Sequence, residues 1–445
     1  MKMAKISLGI VSQTPLIRFL KEMPRTKVKL SSLDPGDYVY TVGGVAPMVK
    51  SQLDEMLKQG IVSRSIWFSL NPKAPTQVEV SEKMKLMNLS LEEEYSRNYV
   101  SFKEKIWNNI HGINSESFST EEYLGYFKYN SHLASTVIEH SQVELFELHD
   151  FQQLLLGSML GPSFPSIFRW HIPFLPEILS HKVRKFIING MEGNDAVIVS
   201  TRRDLEGLVR AGFKGRAYQV YPSINPLAWK RPNRVEIAEL NEKYGIRDED
   251  FVVTNVARMD PMKSQDALIK AVAGLKNADI KLMLIGNGSF TSSKGGLSHG
   301  KGNLWRKKLE RLVKRLKLEK KVIFTGYMPS KLLRAAYRRS DAFVLPSVRE
   351  GFGLSVVEAW MYGVPSVVST GAGVSELIID GLDGLTFNSG DISELKASLL
   401  KLYSDERLRK ELGENGRRVA RTCFTTTAIP TVKRIYEETI SGFKQ

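Results

Sequence analysis

The 445-residue chain is short of what several classes of protein depend on. It has one cysteine, Cys423, and so can form neither an internal disulfide nor a thiolate cluster for zinc or iron–sulfur. That usage fits a reduced, cytoplasmic setting. Its 7 histidines show no metal-ligand spacing, and no H-x-x-x-H is present. No run approaches the roughly 18 uncharged apolar residues that a membrane-spanning helix needs. The start, Met1-Lys2-Met3-Ala4-Lys5, leads into a short apolar stretch with no small-residue cleavage site, which predicts a first strand and no signal peptide. Gly286-Asn287-Gly288 and Gly351-Phe352-Gly353 both lack the third glycine of a dinucleotide fingerprint, and there is no Walker loop. Nicotinamide redox and P-loop chemistry are therefore disfavoured. No internal repeat recurs at a fixed period.

What the chain does have is positive charge: 63 basic against 48 acidic residues, a formal +15. An excess of that size implies an anionic partner. Much of it is local, since residues 301–321 carry ten basic side chains against Glu310 and Glu319. Within that segment Trp305, Leu309, Leu312, Val313 and Leu316 share one helical face. Residues 304–318 could lie on an anionic membrane, but a sheet-packing helix with a solvated basic face explains the same pattern and is favoured.

Short apolar runs alternate with amphipathic ones in two series. Strands are expected at Ile6–Ser12 and at 38–42, 66–70, 143–149, 166–172 and 196–200. A second set is expected at Phe251–Val256 and Ile280–Ile285, then at 322–325, 342–345 and 366–369. Helical patterns separate them, as at 48–59, 121–140, 176–191, 262–275, 304–316, 331–338 and 354–362. Buried strands spaced by helices imply parallel sheets, and the two series imply two Rossmann-like, doubly wound α/β domains. We place these at 1–225 and 226–425, with a helix over 426–445 packing back on the first. The break falls within 222–246, punctuated by Pro222, Pro226 and Pro232. Residues 72–97 read as an irregular insertion, and 286–302 as a Gly/Ser-rich loop.

The chemistry-bearing residues follow strands. A strand ending at Leu345 leads into Glu350-Gly351-Phe352-Gly353-Leu354, with Glu358 two turns into the next helix. Glycines there permit close backbone approach, and a helix N-terminus offers unpaired N–H groups to a diphosphate. Glu358 can accept hydrogen bonds from sugar hydroxyls, and Glu350 can reach a second polyol. The strand at 251–256 leads into Arg258-Met259-Asp260-Pro261-Met262-Lys263, a planar fork and a mobile point charge suited to a diphosphate. In the first half, Gly43-Gly44 follows a strand, His149-Asp150 ends another, and His171 ends a third within Trp170-His171-Ile172-Pro173-Phe174. Taken alone, His149 reads as a satisfied core residue. Asp248-Glu249-Asp250 matches the D-x-D metal–diphosphate pattern but precedes a strand, and reads as a solvated turn.

The second half resembles the retaining GT-B glycosyltransferases of family 4, whose two Rossmann-like domains face each other across a cleft. The resemblance rests on the Glu350…Glu358 spacing, the Arg258…Lys263 pair, Asn287-Gly288, and the run Gly363-Val364-Pro365 to Gly371-Ala372-Gly373-Val374-Ser375-Glu376. It implies that Arg258 and Lys263 hold the donor diphosphate, Glu350 the transferred sugar and Glu358 the ribose. Gly43, Gly44, Gly288, Gly351, Phe352, Gly353 and Leu354 would complete the donor site. His149-Asp150-Phe151 and the segment around His171 resemble trehalose-6-phosphate synthases and the glycosyltransferring trehalose synthases. Gly43-Gly44-Val45 and Tyr221-Pro222-Ser223-Ile224-Asn225-Pro226-Leu227 look most like the latter. By that resemblance His171 lies at the sugar near the scissile bond, and Asp150 and Trp107 contact the acceptor. The expected reaction moves glucose from a nucleotide-diphosphate glucose to glucose, forming trehalose, with no metal or other cofactor. Glucose 6-phosphate, or a lipid or glycan at a membrane surface, is the alternative acceptor. The expected partners are the nucleotide sugar and a sugar acceptor, without nucleic acid; a homodimer is left open.

Overall fold

The computed structural model describes residues 5–41, 44–113, 117–275, 278–287 and 301–444. They form two compact units, Met1–Tyr221 with Ala428–Gln445, and Pro222–Thr427.

In the first unit the strands are β1 (Ile6–Ser12), β2 (Ile17–Phe19), β3 (Lys27–Lys29), β4 (Tyr38–Tyr40), β5 (Val62–Leu70), β6 (Gln77–Ser81), β7 (Met84–Leu89), β8 (Leu145–His149), β9 (Ser166–Trp170), β10 (Ala196–Val199) and β11 (Ala217–Gln219). Among the described residues nine of them make one sheet, in the order β11-β10-β9-β8-β1-β5-β7-β6-β3. β1 is buried along its whole length and pairs parallel with both β5 and β8. Helices cover both faces of such a sheet, which is why its strands are continuous apolar runs. Strand order reverses between β1 and β8, and open α/β sheets bind ligands beyond the strand ends at such a point. His149 is the last residue of β8.

Two sequence expectations need correction here. The segment at 72–97 is not an irregular insertion: β6 and β7 pair antiparallel within it, and the helix Glu93–Ile110 begins there. Charged residues such as Glu79 and Lys85 obscured the period of two that the buried Met84, Leu86 and Asn88 show. The strand near 38–42 is β4, which pairs with β2 in a separate two-stranded sheet outside the main one.

The helix Thr425–Phe443 runs into the first unit, burying Ile435 and Tyr436. The Tyr436 hydroxyl donates to Glu147 on β8, and that of Tyr218 to Glu438 at 2.8 Å.

The second unit contains β12 (Phe251–Val256), β13 (Ile280–Ile285), β14 (Val322–Gly326), β15 (Ala342–Leu345), β16 (Ser366–Ser369) and β17 (Leu385–Phe387). Its sheet has the order β14-β13-β12-β15-β16-β17, parallel throughout. This is the doubly wound Rossmann order, and its switch point lies between β12 and β15. The Asn255 amide donates to the Val344 carbonyl at 2.9 Å and ties those two strands together.

The helix Lys301–Arg315 packs Trp305, Leu309, Leu312 and Val313 into the core of this unit. The Trp305 indole donates to Gln265 at 3.0 Å. Those four side chains are spent on the protein interior, in the manner of a sheet-packing helix. Among the described residues no helix is long and apolar enough to cross a membrane.

Candidate active site

At the switch point of the second unit, the loops after β12 and β15 carry the residues singled out above. After β12 the chain passes Arg258 and turns through a short 3₁₀ segment, Pro261–Lys263. Asp260 fixes that turn by accepting from the Met262 N–H at 2.9 Å. The Val348 N–H then donates to the Met262 carbonyl at 2.8 Å, so the loop after β15 lies directly on the loop after β12. The consequence is that Lys263 and Glu350, 87 positions apart, form an ion pair. Their side chains are only 14% and 21% exposed, so solvent screens the pair weakly. Arg258 stands on the same loop, 35% exposed, with Asp260 3.8 Å away. Its backbone is held by Gln265, whose amide donates to the Arg258 carbonyl at 2.7 Å.

The glycine loop is shaped for close approach. Gly351 and Phe352 are buried, and the Phe352 carbonyl accepts from the Val374 N–H at 2.8 Å, which docks the loop on Gly373–Leu377. Gly353 has φ = 110°, and a Cβ there would sit 2.6 Å from Leu345 Cδ2, so the position requires glycine. It caps the helix Leu354–Trp360 with no side-chain hydrogen bond to the first-turn N–H groups, the Gly353 carbonyl accepting from the Val356 N–H at 3.0 Å.

Glu358 departs from a simple surface glutamate. It is partly buried and accepts a 2.6 Å hydrogen bond from the Tyr337 hydroxyl. Burial pushes its carboxyl up to about 7, against the lowering effect of that hydrogen bond. Tyr337, which sequence reasoning missed, is buried and packs between Trp229 and Tyr362. Gly288 lies outside the described residues. Its neighbour Asn287 accepts from the Met259 N–H at 2.9 Å, which places the end of β13 beside the Arg258 loop.

In the first unit, His171 follows β9 and donates its backbone N–H to Asp150 at 2.8 Å, so these two predicted residues meet. Asp150 has φ = 65°, a strained value for a non-glycine residue at the end of a strand. Burial pushes its carboxyl up to about 7, against the His171 N–H bond. Trp107, on the helix Glu93–Ile110, stacks on His111 with centroids 3.9 Å apart and lies 6.3 Å from the ring of Phe151. It therefore neighbours Asp150 through the next residue, Phe151. Gly44 has φ = 73° and caps the helix Val45–Gln59, while Gly43 lies outside the described residues. His149 is buried, as the sequence favoured, and its Nδ1 lies 2.9 Å from His171 Nε2.

The D-x-D segment is structural. Asp248 and Glu249 form an exposed turn, as expected, while Asp250 alone is buried and paired with Arg247 at 2.9 Å. Among the described residues no group of three or more potential metal ligands gathers.

Residues 236–419 match the family described as Glycosyl transferases group 1. An uncharacterized glycosyltransferase of Methanocaldococcus jannaschii is 24% identical over 344 residues, covering 76% of this chain and 88% of its own length. Other curated matches meet about half the length of the relative concerned. Among solved structures, the trehalose-6-phosphate synthase OtsA superposes with a TM-score of 0.74 at 18% identity, covering 98% of this chain and 99% of that one. HepE of Anabaena, solved with UDP and glucose, gives 0.70 at 16%, covering 97% and 100%. The fold is thus the two-domain GT-B fold. Its second unit carries the segment that matches the group 1 family.

Proposed function

We propose that the protein is a retaining hexosyltransferase that moves glucose from a nucleotide-diphosphate glucose to a sugar acceptor, with glucose as acceptor and trehalose as product. The observation that carries the donor half is the meeting of Lys263 with Glu350 beside Arg258, at the switch point of a Rossmann sheet. A diphosphate placed there competes with Glu350 for Lys263, and Arg258 offers it a second cation. As the glycosidic bond to phosphate breaks, negative charge grows on the leaving diphosphate. Arg258, Lys263 and the first-turn amides near Gly353 and Leu354 stabilise that charge more in the transition state than in the ground state. Glu350, released from Lys263, accepts hydrogen bonds from the hydroxyls of the transferred sugar, and Glu358 from the ribose. On the acceptor side, Asp150 and Trp107 bind the sugar and His171 lies near the breaking bond. No step in this scheme calls on a metal ion, so chelation should leave the rate unchanged.

Retention and the trehalose product rest on the likeness of the His149-Asp150-Phe151 and His171 segments to trehalose-forming enzymes, and on the solved neighbours of that class. The test is to incubate the protein with UDP-, ADP- or GDP-glucose against glucose, glucose 6-phosphate or no acceptor, resolving products by NMR. A glucose-dependent, non-reducing disaccharide supports the proposal. A phosphorylated product replaces the acceptor, and absence of nucleotide release with every donor overturns the donor site.

A further inference from the structure

Beneath His171 lies a buried chain of polar groups that the reaction scheme above does not use. Glu147, on β8, is 2% exposed, and its two oxygens have different partners. One accepts from Arg169 on β9 at 3.1 Å and faces His149 Nε2 at 3.8 Å. The other accepts the hydroxyl of Tyr436, from the helix Thr425–Phe443. Arg169 also donates to Gln52 at 2.8 Å, on the helix that Gly44 caps. His149 Nδ1 then meets His171 Nε2 at 2.9 Å, the two rings lying within 18° of parallel. Residues 147 and 149 share one face of the strand, so Glu147 can act on His149 directly.

Both imidazoles are neutral. Burial pushes His149 down to about 4, with Glu147 opposing and Arg169 adding to the effect. Burial, then His149 and Arg169, hold His171 well below the ordinary histidine range. Glu147 is ionised: burial works against its charge, but Arg169, His149 and the Tyr436 and Arg169 hydrogen bonds outweigh it and hold the carboxyl below the usual range.

Two neutral histidines sharing one hydrogen bond have two arrangements. In one, His149 donates from Nδ1 and turns a bare Nε2 lone pair toward the carboxylate. In the other, His149 carries its proton on Nε2, facing Glu147, and accepts at Nδ1 from His171 Nε2–H. A lone pair set against a carboxylate inside the protein is repulsive, whereas an N–H is attracted, so the second arrangement wins. His171 then holds its proton on Nε2 and a lone pair on Nδ1, and among the described residues no hydrogen bond to that nitrogen is present.

We propose that Glu147 is a positioning residue that acts through His149 to fix the tautomer of His171, so that His171 presents Nδ1 as a hydrogen-bond acceptor to a substrate hydroxyl. Tyr436 and Arg169 hold Glu147 in place, which gives the last helix a part in setting that tautomer. The consequence for catalysis rests on the placement of His171 at the sugar; the tautomer itself does not.

The test is nitrogen-15 NMR of the full chain labelled at histidine, with His171→Gln used to assign the resonance, alongside kcat and KM for each variant. Wild-type protein should show His171 protonated at Nε2; protonation at Nδ1 overturns the proposal without any further variant. Glu147→Gln removes the charge that selects this arrangement, its amide oxygen still accepting from Arg169, and should populate the reversed one. It should lower kcat at least about tenfold with little change in donor KM. Glu147→Asp keeps the charge and should restore the wild-type tautomer and much of the rate. An unchanged tautomer in Glu147→Gln, or Glu147→Asp as damaged as Glu147→Gln, refutes the relay. A reversed tautomer with an unchanged rate refutes its catalytic role. Failure of every variant and the wild type to transfer sugar refutes the functional reading instead, and the resonances still report on Glu147.

Discussion

If Glu358 holds the donor ribose as proposed, affinity for the donor should depend on pH. With its carboxyl pushed up to about 7 by burial, Glu358 is about one-tenth ionised at pH 6 and about nine-tenths at pH 8. Only the ionised form accepts hydrogen bonds from both hydroxyls of a ribose. Donor binding should therefore tighten about tenfold from pH 6 to pH 8 and release about half a proton near pH 7. Calorimetry of nucleotide-diphosphate glucose, in buffers of different ionisation enthalpy, reads both quantities. The sugar nucleotide is the right ligand because its diphosphate does not titrate in this range, unlike that of a free nucleoside diphosphate. Glu358→Gln should abolish the pH dependence and weaken binding at pH 8 by about tenfold or more, the loss of a charge-assisted pair. Tyr337→Phe removes the 2.6 Å hydrogen bond that holds the carboxyl down, and should shift the midpoint upward. Stability moves the other way. A carboxyl raised above its ordinary 4.5 favours the fold most at low pH and loses that contribution as pH rises through about 7. Glu358→Gln should accordingly stabilise the protein at pH 8, by up to about 3 kcal/mol. Affinity that stays flat from pH 6 to 8 in the wild type, or a slope that survives in Glu358→Gln, would refute this reasoning.

Four further outcomes are expected. Arg258→Ala or Lys263→Ala should each lower kcat/KM at least about tenfold, from loss of a charge-assisted contact to the leaving diphosphate; wild-type rates in Lys263→Ala would remove the donor assignment. Gly353→Ala should destabilise the second unit by about 1–3 kcal/mol and weaken donor binding, because its φ is positive and Leu345 occupies the Cβ position; thermal melts and calorimetry check this. Leu309→Ala should cost about 2–5 kcal/mol as a core cavity. Replacing Lys307 and Lys314 by glutamate should leave both the melt and transfer to a soluble acceptor unchanged.

Much of the fold was legible because parallel strands buried on both faces read as uninterrupted apolar runs. Ala196–Val199 and Ala342–Leu345 are of that kind. β6 and β7 were not, since an edge region wetted on one face alternates with charge and looks irregular when the apolar beat is short. In the donor site, Arg258, Lys263, Glu350 and Glu358 were each visible as motifs beside glycine turns. Their meeting was not, because it depends on β15 lying next to β12, and strand order is a matter of tertiary packing. Glu147 shows the limit most clearly. A glutamate inside a buried strand conflicts with local pattern, and the partners that resolve the conflict are Arg169 on the adjacent strand and Tyr436, 289 positions away. Tyr337 was hidden in the same way, since nothing near it in sequence points to Glu358.

The most direct test of the central claim is the transfer assay itself, run with wild-type protein and Lys263→Ala side by side on nucleotide-diphosphate glucose and glucose. The account predicts glucose-dependent nucleotide release with a non-reducing disaccharide as product, and a rate reduced at least about tenfold in the variant. Nucleotide release absent from the wild type, or equal in the two proteins, would contradict it.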